Sequence, residues 1–465
     1  MQILFQGNTR FDNSYGIVNL NMADSLRALG HHLRVESWDQ SDHDCAASCR
    51  LLGLAPFDSG ESLSPPDVCI RQFWPPRWDR PDTEFFIVIQ QWEYGGIPES
   101  WASSLQGVDE VWVHSRFVKS CWVQGGVTPS KVRVVPIGTH RVELPVIDKK
   151  ANQLLFLGGG IWRKGVDILI RSLDRLSNRE LTSLSLVIKE SGIDSYYKDQ
   201  SLVSDLLEHF PRVAAQVELI RHSLPRAELD ELIAQSQVLV HPYRAEGFYL
   251  GGIEAMGLGT QLVTTRGGAT DDYANDDNAL LVNASFMVTN KQPIDMLGPR
   301  RGRNYWQEAH IDELANVIRR ALDPSKPELE SRLAAAHATA AQFSWAEAGL
   351  AADRAIMEAR SGVLPEDNLV VADRMVQTVL REWSPASLIA GVRQLLEIGD
   401  LYGAYRLMSL GVEQLDADWL IMHRTLGATL PRVQDIWFDA MFRKDIEISL
   451  KHQMHQQCQT AELGN

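Results

Sequence analysis

The chain has 465 residues, 45% of them apolar and 23% charged, with a formal charge of −15 at pH 7. That length exceeds what one hydrophobic core serves, so two or three domains are expected. The acidic balance argues against broad contact with nucleic acid or anionic membranes, a local basic pocket aside.

No apolar run is long enough to span a bilayer. The opening MQILFQGNTRFDNSYG lacks a charged stretch followed by a long apolar one, so no signal peptide is read and a cytoplasmic location is the expectation. The cysteines, Cys45, Cys49, Cys69, Cys121 and Cys458, are scattered and odd in number. Cys45 and Cys49 suit one helix face, but no second Cys/His pair completes a zinc set, so reduced thiols are expected.

QILFQG reads as a buried strand running into the loop NTRFDNSYG, and IVNLNMADSLRALGHH has helical periodicity. HLRVESW is a second strand, and this β-loop-α-β start predicts a doubly wound parallel sheet. Further strands are expected at DVCIRQF, EFFIVIQQW, DEVWVHS and VRVVPIG, with a helix at RFVKSCWVQGG. HRVELPVIDKKA (141–152) is a polar break, after which the pattern restarts. NQLLFLGGG is a strand and glycine turn, and WRKGVDILIRSLDRL a helix. SLSLVIKES, QVELIRH, SQVLVHPY, QLVTTRGG and NALLVN continue as strands. Residues 311–361 read as helical, and from about residue 365 the chain reads as a helical appendage without clear strands. The fold class is α/β, with two Rossmann-like halves facing across a cleft and carboxyl strand ends aimed into it.

The stretch HPYRAEGFYLGGIEAMGLGT (241–260) carries Glu246 and Glu254 around Gly247, Gly251 and Gly252. A continuous helix fails there, because each glycine costs about 1 kcal/mol relative to alanine. The parse is a buried strand, SQVLVHPY, a turn, EGFYLGG, and a helix opening at IEAMGLG. Amides at such a helix start suit an anion.

Four segments in order give a family likeness: FLGGGIWRKGVDILIRSL (156–173), ELIAQSQVLVHPYRAEGF, EGFYLGGIE and GLGTQLVTTRGGATDDY. Weaker matches are SYGIVNLNMADSLRALGHHL, DEVWVHSRFVKSCWVQGGV and VRVVPIGTH. Over about residues 1–360 the chain resembles the retaining GT-B glycosyltransferases, specifically glycosyltransferase family 4 with its E-x7-E motif. The resemblance implies an acceptor-side domain at 1–147 and a donor domain at 148–345. It further implies a helix at 346–364 crossing back to the first domain, with the appendage at 365–465 uncovered.

What the resemblance implies chemically is metal-independent transfer of a sugar from a nucleoside-diphosphate sugar to an acceptor hydroxyl. No cofactor is expected; the co-substrate would be UDP- or GDP-linked. Lys164 would bind the diphosphate, with Arg163 beside it as a second cation, since the family's usual arginine position holds Gly159. Lys189, near a strand end, is a further cation. Fixed positive charge and amides where the leaving group gains charge would lower the barrier. Glu254 would grip the ribose diol and Glu246 the hydroxyls of the transferred sugar. The backbone of Gly247, Phe248, Tyr249 and Leu250 would line the same pocket. Gly16, in NSYGIV, would permit close backbone approach to the diphosphate. Where the family often has a histidine, FIVIQQWEYGGIP offers Gln91, Trp92 and Glu93. Glu93 would help deprotonate the acceptor or stabilise a cationic sugar. Trp92 is read as core rather than as a sugar platform, and His114 as structural rather than catalytic. FWPPRW (73–78) suits an acceptor loop and a packed loop equally.

The acceptor class is a glycan, lipid or small molecule, and the C-terminal helices would serve a protein partner or a second copy. A sugar-nucleotide epimerase, a phosphorylase or a non-catalytic scaffold remain alternatives on the same architecture.

Overall fold

The computed structural model describes residues 1–363, apart from 12, 40–48, 50–51, 57–63, 141–147, 192–199, 290–297, 324 and 326, together with 390, 391 and 394. The appendage expected from residue 365, those three positions aside, lies outside the described residues, as do Cys45, Cys458 and most of the polar break.

The first half contains β1 (Gln2–Gly7), α1 (Ser14–Ala28), β2 (His32–Ser37), β3 (Ala55–Pro56), β4 (Val68–Gln72), β5 (Phe85–Ile89), β6 (Gly95–Pro98), β7 (Glu110–Val113), α2 (Arg116–Gln124) and β8 (Val132–Val134). Seven of these strands form one sheet in the order β3-β2-β1-β4-β5-β7-β8, and each pairing is parallel. β4 is buried throughout and β1 and β5 are buried beyond their first residue. A parallel sheet covered by helices on both faces demands such apolar runs.

The second half repeats the plan with β9 (Lys150–Gly158), α3 (Val166–Asp174), β10 (Ser185–Glu190), β11 (Val217–Ile220), α4 (Arg226–Gln235), β12 (Ser236–His241), α5 (Leu250–Gly257), β13 (Gln261–Thr265) and β14 (Leu280–Val282). Its sheet order is β11-β10-β9-β12-β13-β14, again parallel. Both sheets start centrally, grow to one side and then reverse. The reversals fall between β1 and β4 and between β9 and β12, and ligands of such sheets bind outside the strand ends at these points. Two Rossmann-like halves were legible in the sequence.

A third sheet was not. β15 (Ala284–Thr289) and β16 (Arg300–Ala309) form an antiparallel pair, and β16 also pairs with β6 of the first half, with Arg300 opposite Pro98 and Asn304 opposite Gly95. Glu99 N–H donates to Pro299 O and Tyr305 N–H to Tyr94 O, each at 2.9 Å.

Three helices follow: α6 (Ile311–Leu322), α7 (Glu328–Gln342) and α8 (Trp345–Arg360). α8 lies on α1, so closely that a Cβ on Gly349 would stand 2.5 Å from Ser25 Cβ. A hydrogen-bond-length contact of His31 Nε2 with Asp353 Oδ1 at 2.8 Å and ion pairs of Arg133 Nη1 with Glu358 Oε2 at 2.7 Å and Arg360 Nη2 with Glu84 Oε2 at 2.6 Å fasten it to the first half.

The tryptophans of FWPPRW pack inward. Trp74 meets Trp101 edge-on at 5.8 Å, and Trp78 contacts Trp101 and Trp122. Trp92 joins this cluster through Trp101 at 5.2 Å and donates Nε1–H to Gly96 O at 2.7 Å. Trp92, Trp101 and Trp122 are buried, while Trp74 and Trp78 are half-buried at the edge of the cluster. Cys69 and Cys121 are free thiols in the interior, and Cys49 is buried. Among the described residues no helix is long and apolar enough to cross a membrane.

Candidate active site

The site grows from the β9/β12 reversal. After β9 the chain makes a short 3-10 turn, Trp162–Lys164, and α3 begins only at Val166. The sequence suggested one helix from Trp162; Gly165 interrupts it. Gly165 has φ +75°, and a Cβ there would stand 2.0 Å from Pro242 O. The break lets the β9 and β12 loops touch, and it turns Arg163 and Lys164 toward the β12 loop. Arg244 locks that contact. Its backbone N–H donates to Arg163 O at 2.8 Å. Its Nη1 donates to Trp162 O and to Asp167 Oδ1, each at 2.7 Å. Its other donors take Asp167 Oδ2 and both oxygens of Glu308.

Glu246 is the centre of the site and is buried. Its Oε1 accepts from Lys164 Nζ at 2.5 Å and meets His241 Nε2 at 2.7 Å, and its Oε2 lies 3.3 Å from Arg163 Nη1. Burial alone would raise its carboxyl; Lys164, and then Arg163, outweigh it and hold the group well below the usual carboxylate range. Burial pushes the His241 imidazole down to about 4, although Glu246 opposes this. His241 is therefore neutral and donates through Nε2 to the ionised Glu246. Its ring stacks on Tyr249 at 3.6 Å and 5°.

Tyr249 differs from the sequence parse. The helix α5 opens at Leu250, not at Ile253, so Gly251 and Gly252 lie inside its first turn. The positive φ, +69°, belongs to Tyr249. Gly252 serves packing instead: a Cβ there would stand 2.5 Å from Tyr273 Oη. Tyr249 is held by Tyr273 Oη–H donating to its carbonyl at 2.8 Å and by its own hydroxyl donating to Leu157 O at 3.1 Å. No side chain caps the helix at Tyr249, which leaves first-turn amides at Leu250 and beyond to face a ligand. Phe248 points the other way, into an aromatic group with Tyr273 and Phe343.

Glu254 sits in the second turn of α5, beyond the reach of the dipole argument for a first-turn acid. It is buried and accepts from Arg226 Nη1 at 2.5 Å. Burial raises its carboxyl above the ordinary value, with Arg226 opposing.

The first half closes on this loop. Ser115, at the start of α2, donates Oγ–H to Gly247 O at 2.7 Å. Gln91 packs against Gly247, and Arg116 pairs with Asp272 at 3.1 Å. Glu93 reaches Arg163 Nη1 at 3.4 Å. Glu93, Arg163, Lys164 and Glu246 are therefore one ionic cluster drawn from both halves. Lys189 is not in it: its Nζ donates to Glu190 O at 2.9 Å, and burial lowers its ammonium. Gly16 is buried in α1, its N–H donating to Asn13 Oδ1 at 2.8 Å. A Cβ there would meet Arg10 O at 2.0 Å, so its close backbone neighbour is its own preceding loop. His114 is buried, with Nδ1 donating to Val135 O at 3.0 Å, and burial pushes it down to about 4.

Sequence reasoning missed His241, Arg244, Arg226 and Ser115. His241 carried a signal, being the last residue of a buried strand five positions before Glu246. The others act through partners 28 to 132 positions away, which no local pattern shows.

Residues 151–293 match the family described as glycosyl transferases group 1. The MMP alpha-(1->4)-mannosyltransferase of Mycolicibacterium hassiacum is 24% identical over 238 residues, 51% of this chain and 50% of that protein. The match thus spans half the length of this curated relative. Among solved structures, a glycosyltransferase from Rickettsia africae aligns over 77% of this chain and 98% of its own, with TM-score 0.56 and 14% identity. Sucrose-phosphate synthase from Thermosynechococcus elongatus aligns over 78% and 100%, at 0.55 and 15%. Anabaena Alr3699/HepE, solved with UDP, aligns over 77% and 100%, at 0.53 and 13%. The fold is that of the GT-B glycosyltransferase structures, and the segment 151–293 is similar to glycosyl transferases group 1.

Proposed function

We propose that the protein transfers a sugar from a nucleoside-diphosphate sugar to an acceptor hydroxyl, with retention at the anomeric carbon and without a metal ion. The observation that carries this reading is the cluster at the β9/β12 reversal, where Lys164 and Arg163 converge on an ionised Glu246 and α5 opens without a side-chain cap just beyond it in the chain. Fixed cations and amides suit the charge that grows on a departing diphosphate. Glu246, an acceptor with both oxygens anchored, suits sugar hydroxyls. Glu254 suits a ribose diol. Glu93, arriving from the first half, lies on the side where an acceptor would approach. Contacts such as Ser115–Gly247 close the halves and exclude water, disfavouring donor hydrolysis. The UDP bound by the Anabaena neighbour accords with a nucleotide donor.

The test is a screen of UDP- and GDP-linked sugars for hydrolysis and transfer, with product anomers assigned by NMR. Transfer with the donor's anomeric configuration, lost in Glu246→Ala and Lys164→Ala, supports the reading. Conversion of a sugar nucleotide with no acceptor present would move it to an epimerase. Absence of any nucleotide binding would leave a scaffold.

A further inference from the structure

Resting on that donor-site reading, we propose that Arg226 is a positioning residue for nucleotide binding: it holds the Glu254 carboxylate ionised and correctly aimed for the ribose diol. Arg226 opens α4, outside the segment that carries the two glutamates. Its guanidinium is forked. Nε lies 3.1 Å from Asp230 Oδ2 and Nη2 lies 2.6 Å from Asp230 Oδ1, one turn along α4. Nη1 is thereby left to Glu254 Oε1 at 2.5 Å. Asp230 fixes the fork, and the fork fixes Glu254. The arrangement matters because the side chain of Glu254 is only 7% exposed while that of Arg226 is 36% exposed. A carboxylate so far from water protonates readily unless a cation stands beside it, and a protonated carboxyl loses half its capacity to accept from a diol.

The charged groups facing Glu254 are Arg226, which opposes the effect of burial, and Asp230, which adds to it. Both come from α4. Tyr249 lies between Glu254 and Glu246 and is neutral, its hydroxyl raised far above the ordinary value by burial. His140, from the first half, faces Arg226 rather than Glu254. On α7 the titratable group toward α5 is His337, whose Nδ1 meets Gly257 O at 3.0 Å. Arg226 is thus the cation that opposes burial at Glu254.

The test is calorimetric titration of the full chain with UDP and with GDP between about pH 6 and 9. The wild type is expected to bind one of them with less pH dependence than R226Q. Arg226→Gln is expected to weaken binding about tenfold or more at the acid end. The deficit shrinks as pH rises and Glu254 ionises without help. Arg226→Lys should largely restore the wild-type profile. The double variant R226Q/E254Q removes both members of the pair and should bind as E254Q does. Wild-type affinity in R226Q at every pH, or a loss equal at every pH, would overturn the proposal, as would a further loss from R226Q in the E254Q background. A wild type that binds neither nucleotide, or an E254Q variant as tight as wild type, would instead overturn the donor-site reading beneath it.

Discussion

Lys164 Nζ and Glu246 Oε1 stand 2.5 Å apart, although one follows β9 and the other β12. The cation suited to the leaving phosphate and the acid suited to the sugar are neighbours through this contact. A nucleotide sugar would share Lys164 between its diphosphate and Glu246, placing the anomeric carbon between the two. Lys164→Ala should therefore reduce kcat by roughly a hundredfold or more, the scale for removing one preorganised charge-stabilising group. Steady-state kinetics with an unchanged circular dichroism spectrum checks this; a loss confined to KM would assign Lys164 to ground-state binding alone.

Arg244 should be the costliest single site in the donor half. Its guanidinium is buried against Asp167 and Glu308, and breaking such a pair costs about 3–5 kcal/mol. Arg244→Ala should lower the urea midpoint accordingly. Activity should also fall, because Trp162 O loses the side-chain donor that shapes the lysine turn.

Gly165→Ala should be nearly as harmful by a different route. The new Cβ would collide with Pro242 O at 2.0 Å in a left-handed conformation. A cost of about 1–3 kcal/mol follows from strain of this kind, and denaturant titration measures it. Gly126→Ala is a fitting control: φ is +85° there but nothing lies within 4 Å of a Cβ, so strain without collision should cost less.

The stability that the two buried histidines contribute should fall on mild acidification. His114 and His241 are each pushed by burial from 6.5 to about 4. Below pH 6.5 the unfolded chain binds protons that the folded chain refuses, so stability is full above 6.5 and drains away as pH falls toward 4. Each histidine contributes up to about 1.4 kcal/mol per pH unit in that window. Glu246, held low, adds a loss in the same direction once pH passes below its unfolded value near 4.5. Urea titrations at stepped pH check the slope, and His114→Asn should reduce it by one proton.

The sheets were legible in the sequence because buried parallel strands are near-continuous apolar runs, as in FFIVI and QVLVH. Glu246 and Glu254 were legible because glycines around two acids at a strand end make poor helix. The cross-half partners were not, since Ser115–Gly247 and Glu93–Arg163 depend on the docking of two domains. β15 and β16 escaped because RRGRNYWQEA is polar and reads as loop until β6 supplies its missing hydrogen bonds. The extent of α5 was misjudged because glycine's cost in an exposed helix does not apply where Tyr273 and Tyr249 forbid any side chain.

The pairing of β6 with β16 limits how the crevice can breathe. Main-chain bonds at Tyr94–Tyr305 and Glu99–Pro299 stitch one lobe to the other, and α8 riveted to α1 adds a second seam. A wholesale hinge swing would have to tear the first seam, so admission of substrate should proceed by a twist about that ribbon, with motion concentrated where Ser115 and Arg116 meet the donor loop. Amide exchange should then be slow at Glu99 and Tyr305 and quicken on the Gly247 side; rapid exchange at both seams would instead mean the lobes part freely.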